Sequence, residues 1–175
     1  MCIRDRNWCP FAATAAELCE GFAHSPIVCA GSYTPEGKLT APDFPGWQYA
    51  ADFVLVEADG SKRLPAKAHA AWEPVLPPER NRTVCVFGAS ALGQPIQDAA
   101  HRPELYASLA EVSPEAVITP AIAARVLAKE GGFDVLFINQ ADVLEDPAAA
   151  LQPLVYTLPC PVAYGSLAEG SWTRL

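Results

Sequence analysis

Short apolar stretches set between polar, glycine-rich or proline-rich segments constrain this chain more than any other feature. They predict strands at 27–30, 53–56, 83–87, 135–138 and 161–164. The clearest is 53–56, where four apolar residues run without a polar break; such a run marks a strand buried on both faces, because alternation disappears when neither face meets water. Helical periodicity lies between the strands. Phe11, Ala15, Leu18, Cys19 and Phe22 recur at intervals of three and four and predict a helix over 11–22 that ends at Gly21 or just beyond, with Pro26 closing it. Over 101–112, Leu105, Leu109 and Val112 share one face, and Pro103 is acceptable in the first turn. Thr119 is an N-cap ahead of Pro120, with Ile122, Val126 and Leu127 as the buried stripe and Gly131 as the stop. Asp146 and Pro147 open a last helix. The pattern predicts a three-layer α/β domain with a mainly parallel sheet. The carboxyl ends of its strands, at Glu57, Gly88 and Asn139, should gather on one edge, although the proline-rich crossover 72–78 leaves antiparallel pairing open for the 53–56 and 83–87 strands. Turn chemistry at 33–38 predicts a small hairpin, and Trp47 and Tyr49 are expected to pack beneath the 53–56 strand.

With 51% hydrophobic residues in 175, the chain can bury a core of its own as one domain over 7–175. Twenty acidic residues against twelve basic give a net charge of −8, which opposes non-specific nucleic-acid binding. No apolar run approaches the roughly 20 residues of a membrane span, and no basic segment precedes an apolar leader. A cytoplasmic protein is expected. The six cysteines form no C-x-x-C pair and have no companion histidine spacing, so they read as structural thiols rather than zinc ligands. The opening hexapeptide, residues 1–6, matches the translation of a transposon end used in sequencing libraries and is read as non-native.

Chemistry concentrates after the 53–56 strand. Glu57 and Asp59 stand at its carboxyl end, where ligands bind in open α/β sheets, and two carboxylates there suggest a cation or phosphate site. Lys62, Arg63 and Lys67 follow within ten residues, in a loop holding Gly60 and Pro65. Alternating anions and cations in one short loop suit a Mg²⁺–phosphate reader, with Glu57 and Asp59 on the metal and Lys62, Arg63 and Lys67 on phosphate. The same residues also suit an ordinary turn with a solvated basic run.

A second candidate follows the 135–138 strand. Asn139-Gln140-Ala141-Asp142 resembles the N-K-x-D guanine reader of GTPases, in which Asp accepts from the base and Asn contacts the ring edge. Gln140 stands where that motif has lysine, and a strand-end turn with Asp142 as a cap fits the same residues. The stretch Gly88 to Gly93 has the spacing of a phosphate loop, but Gln94 and Pro95 replace the lysine and hydroxyl residue that such a loop requires.

The run EADGSKRLP, then Lys67, then Glu73-Pro74 and Pro77, resembles the signature of the YqeC family, whose members carry EADG(S/A)(K/R)xxPLK…EPVIPP. The similarity continues through Gly88-Ala89-Ser90-Ala91-Leu92-Gly93, His101-Arg102-Pro103-Glu104 and Asn139-Gln140-Ala141-Asp142, from about Ile27 onward. The resemblance implies an accessory protein of selenium cofactor biosynthesis, serving selenium-dependent molybdenum hydroxylases. It implies a P-loop-like fold, a nucleoside triphosphate (ATP or GTP) with Mg²⁺, and His101 and Arg102 as candidate ligand contacts. It also implies a molybdenum hydroxylase or another maturation protein as partner. The family opens with a strand, a GxGGKT-like loop and a helix that this sequence lacks, so the chain is expected to be inactive as an NTPase. Two other classes share the same residues. One is a general P-loop-like NTPase or ATP-dependent ligase of the metallochaperone type; the other is a non-catalytic module for a molybdopterin-type cofactor or a protein.

Overall fold

The computed structural model describes residues 9–37 and 39–175. The opening hexapeptide lies outside them. They form two compact units, one running up to Glu57 and one from Ala58 to Leu175.

The first unit is built from very short elements: β1 (Phe11–Ala12), α1 (Ala15–His24), β2 (Cys29–Ala30), β3 (Ser32–Tyr33), β4 (Leu39–Thr40) and a 3₁₀ turn at Trp47–Tyr49. The helix starts later than its apolar period suggests because a capping box sets its first turn. The Glu17 N–H donates to Thr14 Oγ1 at 3.3 Å, and Glu17 Oε2 accepts from the Thr14 N–H at 3.1 Å. Phe11 is thereby released to β1, which pairs in parallel with β2. The hairpin forms as expected, with β3 antiparallel to β4 and Ser32 opposite Thr40.

The buried central strand at 53–56 does not form. Those residues belong to no strand, and Phe53 and Leu55 are 88% and 97% exposed. An apolar run specifies that burial would be favourable, but a central strand also needs neighbours for its N–H and C=O groups. No described strand pairs with it. Trp47 and Tyr49 therefore have no strand to pack beneath, and Tyr49 is exposed.

The second unit contains β5 (Ala66–Lys67), β6 (Val84–Gly88), α2 (Ile96–Ala99), β7 (Ala100–His101), α3 (Pro103–Ala110), α4 (Pro120–Glu130), β8 (Val135–Asn139), α5 (Pro147–Thr157), β9 (Val162–Ser166) and β10 (Ser171–Arg174). Its sheet runs β10-β9-β8-β6. The last three strands of that order are mutually parallel, and β10 is antiparallel to β9. At the β9–β10 junction the backbones approach so closely that a Cβ on Gly165 would fall 2.0 Å from the Ser171 carbonyl oxygen. The helix caps follow the sequence. The Thr119 hydroxyl accepts from the Ile122 N–H at 3.2 Å with Pro120 at the first position, and Asp146 does the same for α5 through Ala149. The 101–112 helix is shorter than expected, since His101 belongs to β7 and the turn begins only at Pro103.

One face of this sheet carries the core. Phe87, Leu136, Ile138 and Val162 are buried in one cluster with Ile96, Tyr106, Val126, Leu151 and Leu154 from the helices. On the opposite face Val84 and Val86 are 55% and 59% exposed, while their neighbours Val135 and Phe137 are half-buried. Within this unit the packing is helices on one sheet face, two layers where the sequence suggested three. Along β6 and β8 the pairing brings Gly88 opposite Asn139, so two of the predicted strand ends do share an edge.

Candidate functional site

Three separate stretches of sequence converge at the carboxyl end of β6 and β8. The Gly88 N–H donates to the Pro65 carbonyl at 2.8 Å, tying the basic loop to the strand end. The Ser90 hydroxyl donates to Gln140 Oε1 at 2.7 Å, tying the segment after β6 to the one after β8. Gly88 sits between them, and a Cβ there would lie 2.6 Å from Gln140 Oε1 and 2.7 Å from Pro65 Cβ. Only glycine fits this junction without displacing its neighbours.

The basic loop turns sharply just before Pro65. Leu64 N–H donates to the Ser61 carbonyl at 3.0 Å, and the Ser61 hydroxyl donates to the Leu64 carbonyl at 2.7 Å. The two central residues, Lys62 and Arg63, are both left-handed, with φ of 54° and 66°. A side chain in that region costs about 1 kcal/mol or more per residue, and such strain concentrates at ligand loops. Both side chains are exposed, and neither forms an ion pair among the described residues.

Lys67 is placed very differently. On β5, with its side chain 9% exposed, it directs its ammonium at Asp59, at Glu73 (3.1 Å) and at the Gly60 carbonyl (2.9 Å). An ammonium has three N–H donors, so all of them are engaged inside the protein. Lys67 organises the loop; a phosphate would have to displace a carboxylate to reach it. Asp59 is likewise matched in charge, since it also meets His69 Nε2 at 3.0 Å. Glu57, the other expected metal ligand, is an exposed residue of the first unit. There it adds to the rise in the Cys29 thiol pKa, behind burial and Cys9.

His69 is held from two sides. Glu130, the last residue of α4, accepts the His69 backbone N–H at 2.6 Å and meets ring Nδ1 at 3.0 Å, while Asp59 lies at Nε2. The hydrogen bond to Glu130, outweighing burial, raises the His69 pKa, and both carboxylates add to the rise. No local signal marks this pair, because its members stand 61 residues apart.

Arg102, left-handed at φ 64°, caps α3 and grips Glu73 through two bonds, Nη2 to Oε1 at 2.7 Å and Nε to Oε2 at 3.2 Å. These bonds, with Lys67 behind them, hold the Glu73 carboxyl at about 2, well below its ordinary 4.5. The guanidinium carbon also sits 5.7 Å from the centre of the Trp72 ring. His101 pairs with Lys67 in the β5–β7 register, and its Nδ1 is buried without a partner. Burial, reinforced by Lys67, Arg102 and Lys62, lowers the His101 pKa and keeps the ring neutral at pH 7. The expected ligand residues His101 and Arg102 thus belong to the same corner as the basic loop. Asn139 Oδ1 accepts the Leu167 N–H at 3.0 Å and fastens the β9–β10 turn. Asp142 is exposed in the 3₁₀ turn Ala141–Val143.

The model of the family described as YqeC protein matches residues 3–104. The chain belongs to the YqeC family. The matched span holds nearly the whole corner of this YqeC-family chain: Asp59, Lys62, Arg63, Lys67, His69, Trp72, Glu73, His101 and Arg102 all fall inside it, and Glu130 and Asn139 fall beyond it. Among curated proteins, the uncharacterized protein YqeC of Escherichia coli (strain K12) is 31% identical over 59% of this chain. The match covers 45% of that protein, so the chain spans about half of its relative's length. No solved structure matches, and the α/β architecture rests on the fold described above.

Proposed function

We propose that this YqeC-family chain is a nucleotide-binding accessory protein, and that its phosphate contacts come from the turn Ser61 to Leu64. The observation that carries this reading is the pair Lys62 and Arg63, two adjacent cations in strained left-handed conformation, without an ion pair among the described residues, on a loop bonded to the carboxyl end of parallel strand β6. Ligands of open α/β sheets bind at that end, and a turn that exposes two cations at a conformational cost is supported by what it binds. Lys67, Asp59, Glu73 and Arg102 form the frame behind it. His101, neutral at pH 7 and with its Nδ1 buried, belongs to this frame.

Mg²⁺ enters this reading with the triphosphate, whose oxygens together with waters would supply its ligands. Asp59 is already neutralised by Lys67 and His69, and among the described residues no group of three or more His, Cys, Asp or Glu is arranged to hold a metal. No hydrolytic step is assigned, since phosphoryl transfer needs oriented N–H donors and a lysine at the γ-phosphate that these residues do not supply. The proposed context, maturation of selenium-dependent molybdenum hydroxylases with one of those enzymes or another maturation protein as partner, rests on family resemblance. No helix among the described residues is long and apolar enough to cross a membrane. Titration with ATP and GTP, with and without Mg²⁺, tests the reading: saturable binding weakened by replacing Lys62 and Arg63 supports it, and absence of binding overturns it.

A further inference from the structure

We infer that Trp72 is a stacking platform for the planar heteroaromatic ring of the bound ligand. The inference deepens the nucleotide reading and rests on it for the phosphate end only. Trp72 is 72% exposed, at the tip of a turn closed by the Glu73 N–H on the Ala70 carbonyl at 2.9 Å. An exposed tryptophan alone would mean little. This one has a guanidinium 5.7 Å from its ring centre, and that guanidinium is itself fixed by two hydrogen bonds to Glu73, the next residue in the chain. Glu73 is fixed in turn by Lys67. The ring is therefore backed by a cation whose position is set from the protein interior, while most of its surface faces solvent. Preorganisation of this kind lowers the entropic cost of receiving a flat ligand.

The chemistry of the surroundings names the ligand class. The β5–β7 register sets Lys67 beside His101, Arg102 follows His101 and backs the Trp72 ring, and the turn that exposes Lys62 leads directly into β5, so the platform and the Lys62 charge belong to one corner. A flat aromatic ring joined to an anionic tail, as in a purine nucleoside triphosphate, meets both kinds of group. The base contact moves accordingly. Asn139, expected to read a base edge, is engaged by the Leu167 N–H, whereas Trp72 offers an open π-face that tolerates different bases.

The test compares the chain with Trp72→Leu and Trp72→Phe variants, each checked for an unchanged thermal melt, using ATP, inorganic tripolyphosphate and adenosine as probes. ATP affinity should fall about tenfold or more in Trp72→Leu and be largely retained in Trp72→Phe, while tripolyphosphate affinity stays unchanged. Adenosine alone should shift the indole N–H resonance that disappears in Trp72→Leu. Equal ATP affinity in the chain and Trp72→Leu overturns the platform, as does equal affinity of the unsubstituted chain for ATP and tripolyphosphate, and either result leaves the phosphate reading standing. If neither triphosphate binds but adenosine moves the Trp72 signal, the phosphate reading falls and the platform stands. If adenosine moves nothing as well, both fall.

Discussion

Replacing Glu73 with Gln removes the charge at the hub of the corner while preserving its shape. The carboxylate receives Arg102 at 2.7 and 3.2 Å and Lys67 at 3.1 Å. Its pKa falls from 4.5 to about 2 in the folded protein, a difference worth roughly 3 kcal/mol if nothing screened it. Water does reach the pair: the Arg102 side chain is 29% exposed and that of Glu73 19%. Screening brings the expected loss in Glu73→Gln to about 1–2 kcal/mol at pH 7, or a few degrees of melting temperature. The pH dependence identifies the cause. A depressed carboxyl pKa contributes stability that is complete above the unfolded value of 4.5 and disappears as pH falls toward about 2. Urea unfolding of the chain and Glu73→Gln at a series of pH values should show a gap that is constant from pH 7 to about 5, narrows steadily below about 4.5 and closes at about pH 2. A gap that stays constant through that acid range, or no gap at pH 7, would refute the assignment of Glu73 as an ionised hub.

His69 has a raised pKa, so the stability it gains from Glu130 and Asp59 is present below its unfolded value of 6.5 and is lost as pH rises through the folded value; the stability difference between the chain and His69→Gln should therefore shrink between pH 6 and pH 9 in denaturant titrations. Gly88→Ala forces a methyl group against Pro65 and Gln140, and a loss of about 1–3 kcal/mol is expected, with faster amide exchange in the 61–64 turn than the unsubstituted chain shows. Lys62→Gly and Arg63→Gly should each raise stability by about 1 kcal/mol by relieving left-handed strain while weakening triphosphate binding; a destabilised glycine variant would show that the turn is not strained.

What could be read from the sequence depended on whether the signal was local. Thr119-Pro120 and Asp146-Pro147 announce helices because a cap acts within one turn, and both helices start there. The strands at β6, β8 and β9 are apolar, short and bounded, and they pair in parallel. The same kind of run at 53–56 misleads, because hydrophobicity says nothing about which strand will be available to pair. Thr14 and Glu17 carried a capping box that the stronger Phe11 period obscured. Within the corner, the alternation of charges in the loop did not reveal which of its charges pair with one another. Whether Lys67 binds phosphate or Asp59 depends on its burial, which Gly60, Glu73 and Asp59 create together. His69 and Glu130 meet only through the packing of α4, and no spacing rule reaches across that distance.

The central claim is that the strained pair Lys62 and Arg63 receives the phosphates of a nucleotide. Calorimetric titration of Mg²⁺–ATP into the chain and into a Lys62→Ala/Arg63→Ala double variant, at two salt concentrations, tests it most directly. Saturable binding by the chain, weakened at least about tenfold in the double variant and less sensitive to salt there because two cationic contacts are gone, is the predicted result. Binding of equal strength and equal salt dependence in both proteins, or no binding by either, would contradict it.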